Sequence, residues 1–235
     1  MDFWHSPFLY CLFLFGMVGN LIFPYCWGKT WRGHSLLRKD TILLSDPDSP
    51  VRWFQRVWRL ILGIISILGG IMLFHNIHSG LFINQFALYA MLGYGIFGCI
   101  LPAVFSLTDI KYVESRIAKV HNLFYMFGHI CLQIAALCMT GIAFEQGDFM
   151  RGAIFSILCL VTIFLYMIYN MSDRLECRDT IIGYEGVWEF LFHISVYFPI
   201  GYTTVQFLLS YSNPAVRILF PLRGSLFRFV LFIIL

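Results

Sequence analysis

The sequence predicts an all-α protein, a polytopic transmembrane bundle of six helices, on three observations. Of its 235 residues 59% are hydrophobic and only 12% charged, more apolar surface than a soluble fold of this size can hide. Six apolar runs, near 7–27, 57–76, 84–107, 121–143, 152–171 and 187–211, have about the 20 residues that a helix needs to cross a hydrocarbon core of about 30 Å. The basic residues gather on one set of connections, as membrane orientation demands.

The first run follows a segment, Met1 to Pro7, without Lys or Arg, and no small-x-small site follows near Trp27. A retained helix is therefore expected rather than a cleaved signal. Connection 28–56 is flanked by Trp27, Trp31, Trp53 and Trp58, aromatics suited to a membrane interface. Within it, 45-SDPDSP-50 offers Ser49 as an N-cap with Pro50 at the first helical position, and Asp46 and Asp48 suit turns. The uncharged link 77–83 and the short link 144–151 tie runs two to three and four to five into tight hairpins. Gly16, Gly19, Gly63, Gly69, Gly70, Gly93, Gly95 and Gly98 fall inside the helices, where small residues let backbones approach. Residues 1–213 form one domain on this reading. In 214–235, Arg217, Arg223 and Arg228 precede an apolar end, Phe229 to Leu235, that is too short to span, so this stretch is expected to be an interfacial tail.

Alternation puts connections 28–56, 108–120 and 172–186 on one face. That face carries twelve of the sixteen Lys and Arg and ten of the thirteen carboxylates, counting residues at its boundary such as Arg56, Arg59 and Glu189. The positive-inside rule places it in the cytoplasm and both termini outside. A net charge of +3 is explained by topology and gives no support to nucleic-acid binding. The chain has no Gly-rich phosphate loop, GxSxG elbow or HExxH pair.

The chemistry concentrates in 183-GYEGVWEFLFHISVYFPIGY-202. Glu185, Glu189 and His193 recur every four residues and form one polar stripe running into the sixth helix. Glu185, in the first turn, suits the positive end of the helix dipole. Glu189 and His193 lie deeper, where ionisable groups must face protein or water and mark functional sites by default. Arg56, Arg59, Asp46 and His121 enter from the same face as possible partners. His75, His129 and His193 could also be axial ligands of a haem, although no level-matched histidine pairs repeat.

The order of features resembles the bacterial and archaeal membrane family known as domain of unknown function 998, itself similar to DRAM-like six-helix proteins. The resemblance rests on 45-SD-46 after the first helix, 50-PVRWF-54 leading into the second, His121 opening the fourth, and 181-IIGYEGVWEFLFHISVYFPIG-201. The family pattern looks like Ser-Asp-Leu-Gly where this chain has Ser45-Asp46-Pro47-Asp48, and like Trp-Glu-Arg where it has Trp188-Glu189-Phe190. The resemblance implies a six-helix protein of a prokaryotic cell membrane with no assigned activity.

The leading expectation is a polar pocket on one membrane face, lined by Asp46, His121, Glu185 and Glu189, with His193 deeper, that binds a lipid or small amphiphile. Three rivals use the same residues. A metal-dependent hydrolase would take Glu185 or Glu189 as general base or, with His121 and Asp46, as metal ligands; a proton-coupled transporter would use Glu189 and His193 as a relay; and a structural partner protein would use them as buried ion pairs. The residues themselves name no cofactor.

Overall fold

The computed structural model describes residues 6–31, 35, 37–39, 41–77, 80–105, 116–172 and 180–212. They form six long helices: α1 Pro7–Gly28, α2 Arg52–Asn76, α3 over 81–104, α4 Arg116–Glu145, α5 Phe149–Ser172 and α6 Glu185–Ser212. Each boundary lies within five residues of the apolar run that predicts it. The largest extensions, at the starts of α2 and α4, add Arg52, Arg56, Arg116 and Lys119. Those turns are helical but polar, so a hydropathy run stops short of them. The predicted tail, 214–235, lies outside the described residues.

Ser49 caps differently from the sequence expectation. Its hydroxyl accepts the Val51 N–H at 3.4 Å, Pro50 and Val51 form a turn, and α2 begins at Arg52. The cap therefore serves the turn that enters the helix.

Five helices are long and apolar enough to cross a membrane. The exception is α6. Its 28 residues would extend about 42 Å at 1.5 Å per residue, but Glu185, Glu189, His193 and its Ser, Thr and Gln residues lower its apolarity. Those residues are tolerated because α6 packs on three neighbours, α1, α4 and α5. Each helix packs on the next in sequence and α6 returns to α1, closing a ring in which α4 and α6 also meet. Outward-facing side chains form an apolar belt, seen on α5 as Ile157, Leu160, Phe164 and Met167, the surface a bilayer requires.

Two packing features position the interior. Residues Tyr94–Ile100 of α3 wind as a π-helix, a wider turn that is frequent at functional sites. It buries both Tyr94 and Cys99 while Gly98 meets Gly128 of α4 backbone to backbone. At the opposite end of the bundle, Gly147 takes φ +74° just after α4. The Gly147 and Asp148 N–H groups return to the carbonyls of Phe144 and Ala143 at 2.9 and 3.0 Å, closing the helix in a Schellman turn. Asp148 then caps α5 by accepting the Arg151 N–H at 3.0 Å, so the hairpin needs almost no loop. Gly147→Ala is expected to cost about 1–2 kcal/mol, the penalty of a Cβ in the left-handed region. Gly141→Ala, whose new methyl would meet only the Ile83 side chain at ordinary contact distance, is the control. Parallel unfolding curves of the two variants check the difference.

Candidate functional site

Glu189 lies one turn into α6 and is 1% exposed. Its carboxylate is held by three donors: the Thr41 N–H at 2.7 Å, the Thr41 hydroxyl at 2.6 Å and the Tyr125 hydroxyl at 2.8 Å. Thr41 opens a short 3-10 helix, Thr41–Ser45, that packs on α1 and α2 and carries the connection's backbone inward. Tyr125 belongs to α4. One carboxylate thus fastens a connection, α4 and α6 together, and hydrogen bonds to a charged acceptor are the strong kind.

The facing cation is Arg59 of α2, 5% exposed. Its guanidinium carbon sits 4.8 Å from the centre of the Tyr125 ring, and its charge acts on Glu189 across the gap. Among the described residues it makes no direct ion pair. An arginine presents five N–H donors and no acceptor; here Glu189 supplies the opposing charge and Tyr125 a side-chain hydrogen bond.

One helical turn deeper, His193 of α6 meets His129 of α4, Nε2 to Nε2 at 3.2 Å. A further turn along α6, the Tyr197 hydroxyl contacts the Tyr94 hydroxyl at 2.6 Å and accepts from Asn20 at 2.9 Å. Beyond lies an apolar layer that includes Met17, Ile65, Leu132 and Ile200. At the far end Arg151, 2% exposed, pairs with Asp148 at 3.6 Å and donates to Gln146 and Gln206. The polar centre is therefore continuous from the charged connections to Tyr197 and closed below.

A cavity lies among these groups, lined by Arg59, Glu189, His129, His193, Tyr94 and Cys99. Its water-accessible volume is about 20 Å³, room for one or two waters. Half-buried Leu21, Tyr25 and Phe190 line its side toward the α1–α6 seam. Tyr25 fastens that seam by donating to the Gly186 carbonyl at 2.8 Å and by setting its ring edge-on to Phe190.

All five residues singled out from the sequence are buried, but they do not share one pocket wall. Glu189 and His193 line the cavity. Glu185 opens α6, Asp46 lies in the turn after Ser45, and His121 uses Nδ1 to donate to the Phe105 carbonyl at 2.9 Å, tying α4 to the end of α3. Arg56, the other arginine considered, donates to the Ala103 carbonyl at 3.0 Å, a helix-end contact favoured by the dipole. Thr41, Tyr125, Tyr94 and Tyr197 are the members that sequence reasoning passed over. Tyr125 and His129 repeat on α4 the i, i+4 spacing of Glu189 and His193, and that matched pair of pairs is the signal that could have found Tyr125.

No three metal-ligating side chains come together among the described residues. The haem reading meets a geometric obstacle. His129 and His193 direct Nε2 at each other, whereas two metal–nitrogen bonds of about 2.0 Å would hold those atoms about 4 Å apart; His75, at the far end of α2, is exposed.

The family model described as protein of unknown function (DUF998) matches residues 14–205. The chain belongs to this family. The matched stretch contains the whole polar centre, from Asn20 to Tyr197, and with the apolar helices it makes this family member a multi-pass integral membrane protein. No curated protein and no solved structure matches the chain.

Proposed function

We propose that the polar centre binds the head of a lipid or small amphiphile through oxygen acceptors that Arg59 recognises, with Glu189 fixing the register of the site. The observation that carries this reading is Arg59 itself: a cation buried in a membrane-embedded helix, lining a cavity, with no direct ion pair among the described residues. Intramembrane charges of this kind mark ligand pathways, and a guanidinium suits carboxylate or phosphate oxygens. The free volume accepts one or two head-group atoms but no acyl chain, so the rest of the head group and the chain would lie along the α1–α6 seam past Leu21 and Phe190. Asp46, His121 and Glu185 support the site from the same face. On this proposal that face is cytoplasmic in a prokaryotic inner membrane and both ends are outside, as the concentration of Lys and Arg favours.

Native mass spectrometry of protein purified from membranes tests the binding. Wild type should carry a lipid-sized adduct that Arg59→Gln loses by about tenfold or more, as expected for removing a charge-assisted contact worth about 1.5–3 kcal/mol. Equal retention by both proteins, or no adduct on wild type, would sink the proposal. A second reading, proton-coupled transport, is favoured by one observation, the contact between His129 and His193.

A further inference from the structure

We propose that His129 and His193 form a buried proton-binding site: the two rings hold one extra proton between their Nε2 atoms, as an imidazolium–imidazole pair. The proposal follows from counting hydrogens. His129 Nδ1 lies 2.8 Å from the Tyr125 carbonyl and His193 Nδ1 lies 2.9 Å from the Glu189 carbonyl, each one turn back in its own helix. A carbonyl oxygen only accepts, so each Nδ1 carries a hydrogen. A neutral imidazole has a single N–H, and both are then spent. The Nε2 atoms, 3.2 Å apart, would present lone pair to lone pair. Making hydrogen bonds of all three contacts takes three hydrogens, and two neutral rings supply two. The distance leaves no space for an intervening water, and among the described residues no third metal-ligating side chain joins the pair.

The surroundings bear on the cost of burying a cation. His129 is enclosed by aromatic rings: Tyr125 at 4.1 Å between centroids, Phe192 at 5.3 Å, Tyr166 at 6.3 Å and Tyr94 at 6.5 Å. Two of these rings, Tyr125 and Phe192, lie within about 6 Å, the range in which an aromatic quadrupole acts on a cation. His193 adds Tyr197 at 5.6 Å. Charged and titratable neighbours come from every packed element: Glu189 on α6 supplies the negative charge, Arg59 on α2 opposes it, and Cys99 on α3 and Tyr25 on α1 line the same cavity. Uptake needs no other chemistry, since a proton from water adds to one Nε2 lone pair and no other covalent bond changes. Loss of the proton leaves two lone pairs facing, so a ring must turn or α4 and α6 must separate. Proton occupancy is thereby linked to the α4–α6 contact.

The test is nitrogen NMR of the full chain, labelled with 15N-histidine and reconstituted in lipid nanodiscs, at pH ~8.5, about two units above the ordinary histidine value of ~6.5. The expected result is a nitrogen–nitrogen coupling through a hydrogen bond joining two histidines, each also protonated at Nδ1, and its loss in both His129→Gln and His193→Gln. Absence of the coupling, an unprotonated Nδ1 on either coupled ring, or survival of the coupling in a folded variant would overturn the proposal. If the substitutions prevent folding, the wild-type spectrum decides alone. A negative result here leaves the binding role of Arg59 standing, because that role rests on a different side chain.

Discussion

Glu189→Ala is expected to lower the unfolding free energy by about 3–5 kcal/mol, the usual consequence of breaking a buried charged cluster from one side. Truncation strands three donors, two from Thr41 and one from Tyr125, and removes the charge that faces Arg59. Glu189→Gln should fall between the two proteins. Its carbonyl can still accept from the Thr41 and Tyr125 hydroxyls, but its amide would point N–H groups at the Thr41 N–H. Glu145→Ala provides the comparison, since that exposed carboxylate accepts only the Gly80 N–H at 2.8 Å among the bonds described and should cost about 1 kcal/mol or less. Denaturant unfolding in one detergent measures all three variants. A loss at Glu189 no larger than at Glu145 would mean that the carboxylate does not hold the three elements together.

The other large effect is expected at Gly128. A methyl group there would coincide with the Cα and backbone nitrogen of Gly98, and no rotamer change can relieve a clash with a helix backbone. Gly128→Ala should therefore push α3 away from α4 and cost about 3 kcal/mol or more, the upper range for overpacking. The reciprocal change is gentler. At Gly98 the nearest atoms belong to the Tyr94 ring, at 2.8 and 3.0 Å, with the Gly128 Cα at 3.3 Å, so Gly98→Ala should destabilise less while displacing Tyr94 from Tyr197. Thermal unfolding of the two variants compares them directly; equal, small shifts would show that α3 and α4 are not in backbone contact.

The helices were legible because the bilayer imposes a length and an exclusion of charge that hydropathy reads directly. Glu189 and His193 were legible for the same reason, as ionisable groups where a span should be apolar. Their partners were not. Helices such as α3 and α4 are apolar on nearly every side, so the sequence carries little information about which face turns inward, and Tyr125 reads equally well as an interface residue. Thr41 is hidden more deeply, since it comes from a charged connection and contributes a backbone N–H that any residue except proline could offer. The π-helix of α3 has no signature in its residues beyond the glycines Gly95 and Gly98. Asp46, His121 and Glu185 are buried like Glu189 but do not line its cavity, since a shared stretch of sequence or helix end does not set side chains against one space.

The most direct measurement is an experimental density map, at a resolution that shows ordered water, of the protein purified from membranes without added ligand. The expected map has non-protein density in contact with the Arg59 guanidinium, larger than a water and continuing past Leu21 and Phe190 into the α1–α6 seam. A cavity holding only isolated waters, with no other density touching the Arg59 guanidinium, would contradict the binding role proposed for this centre.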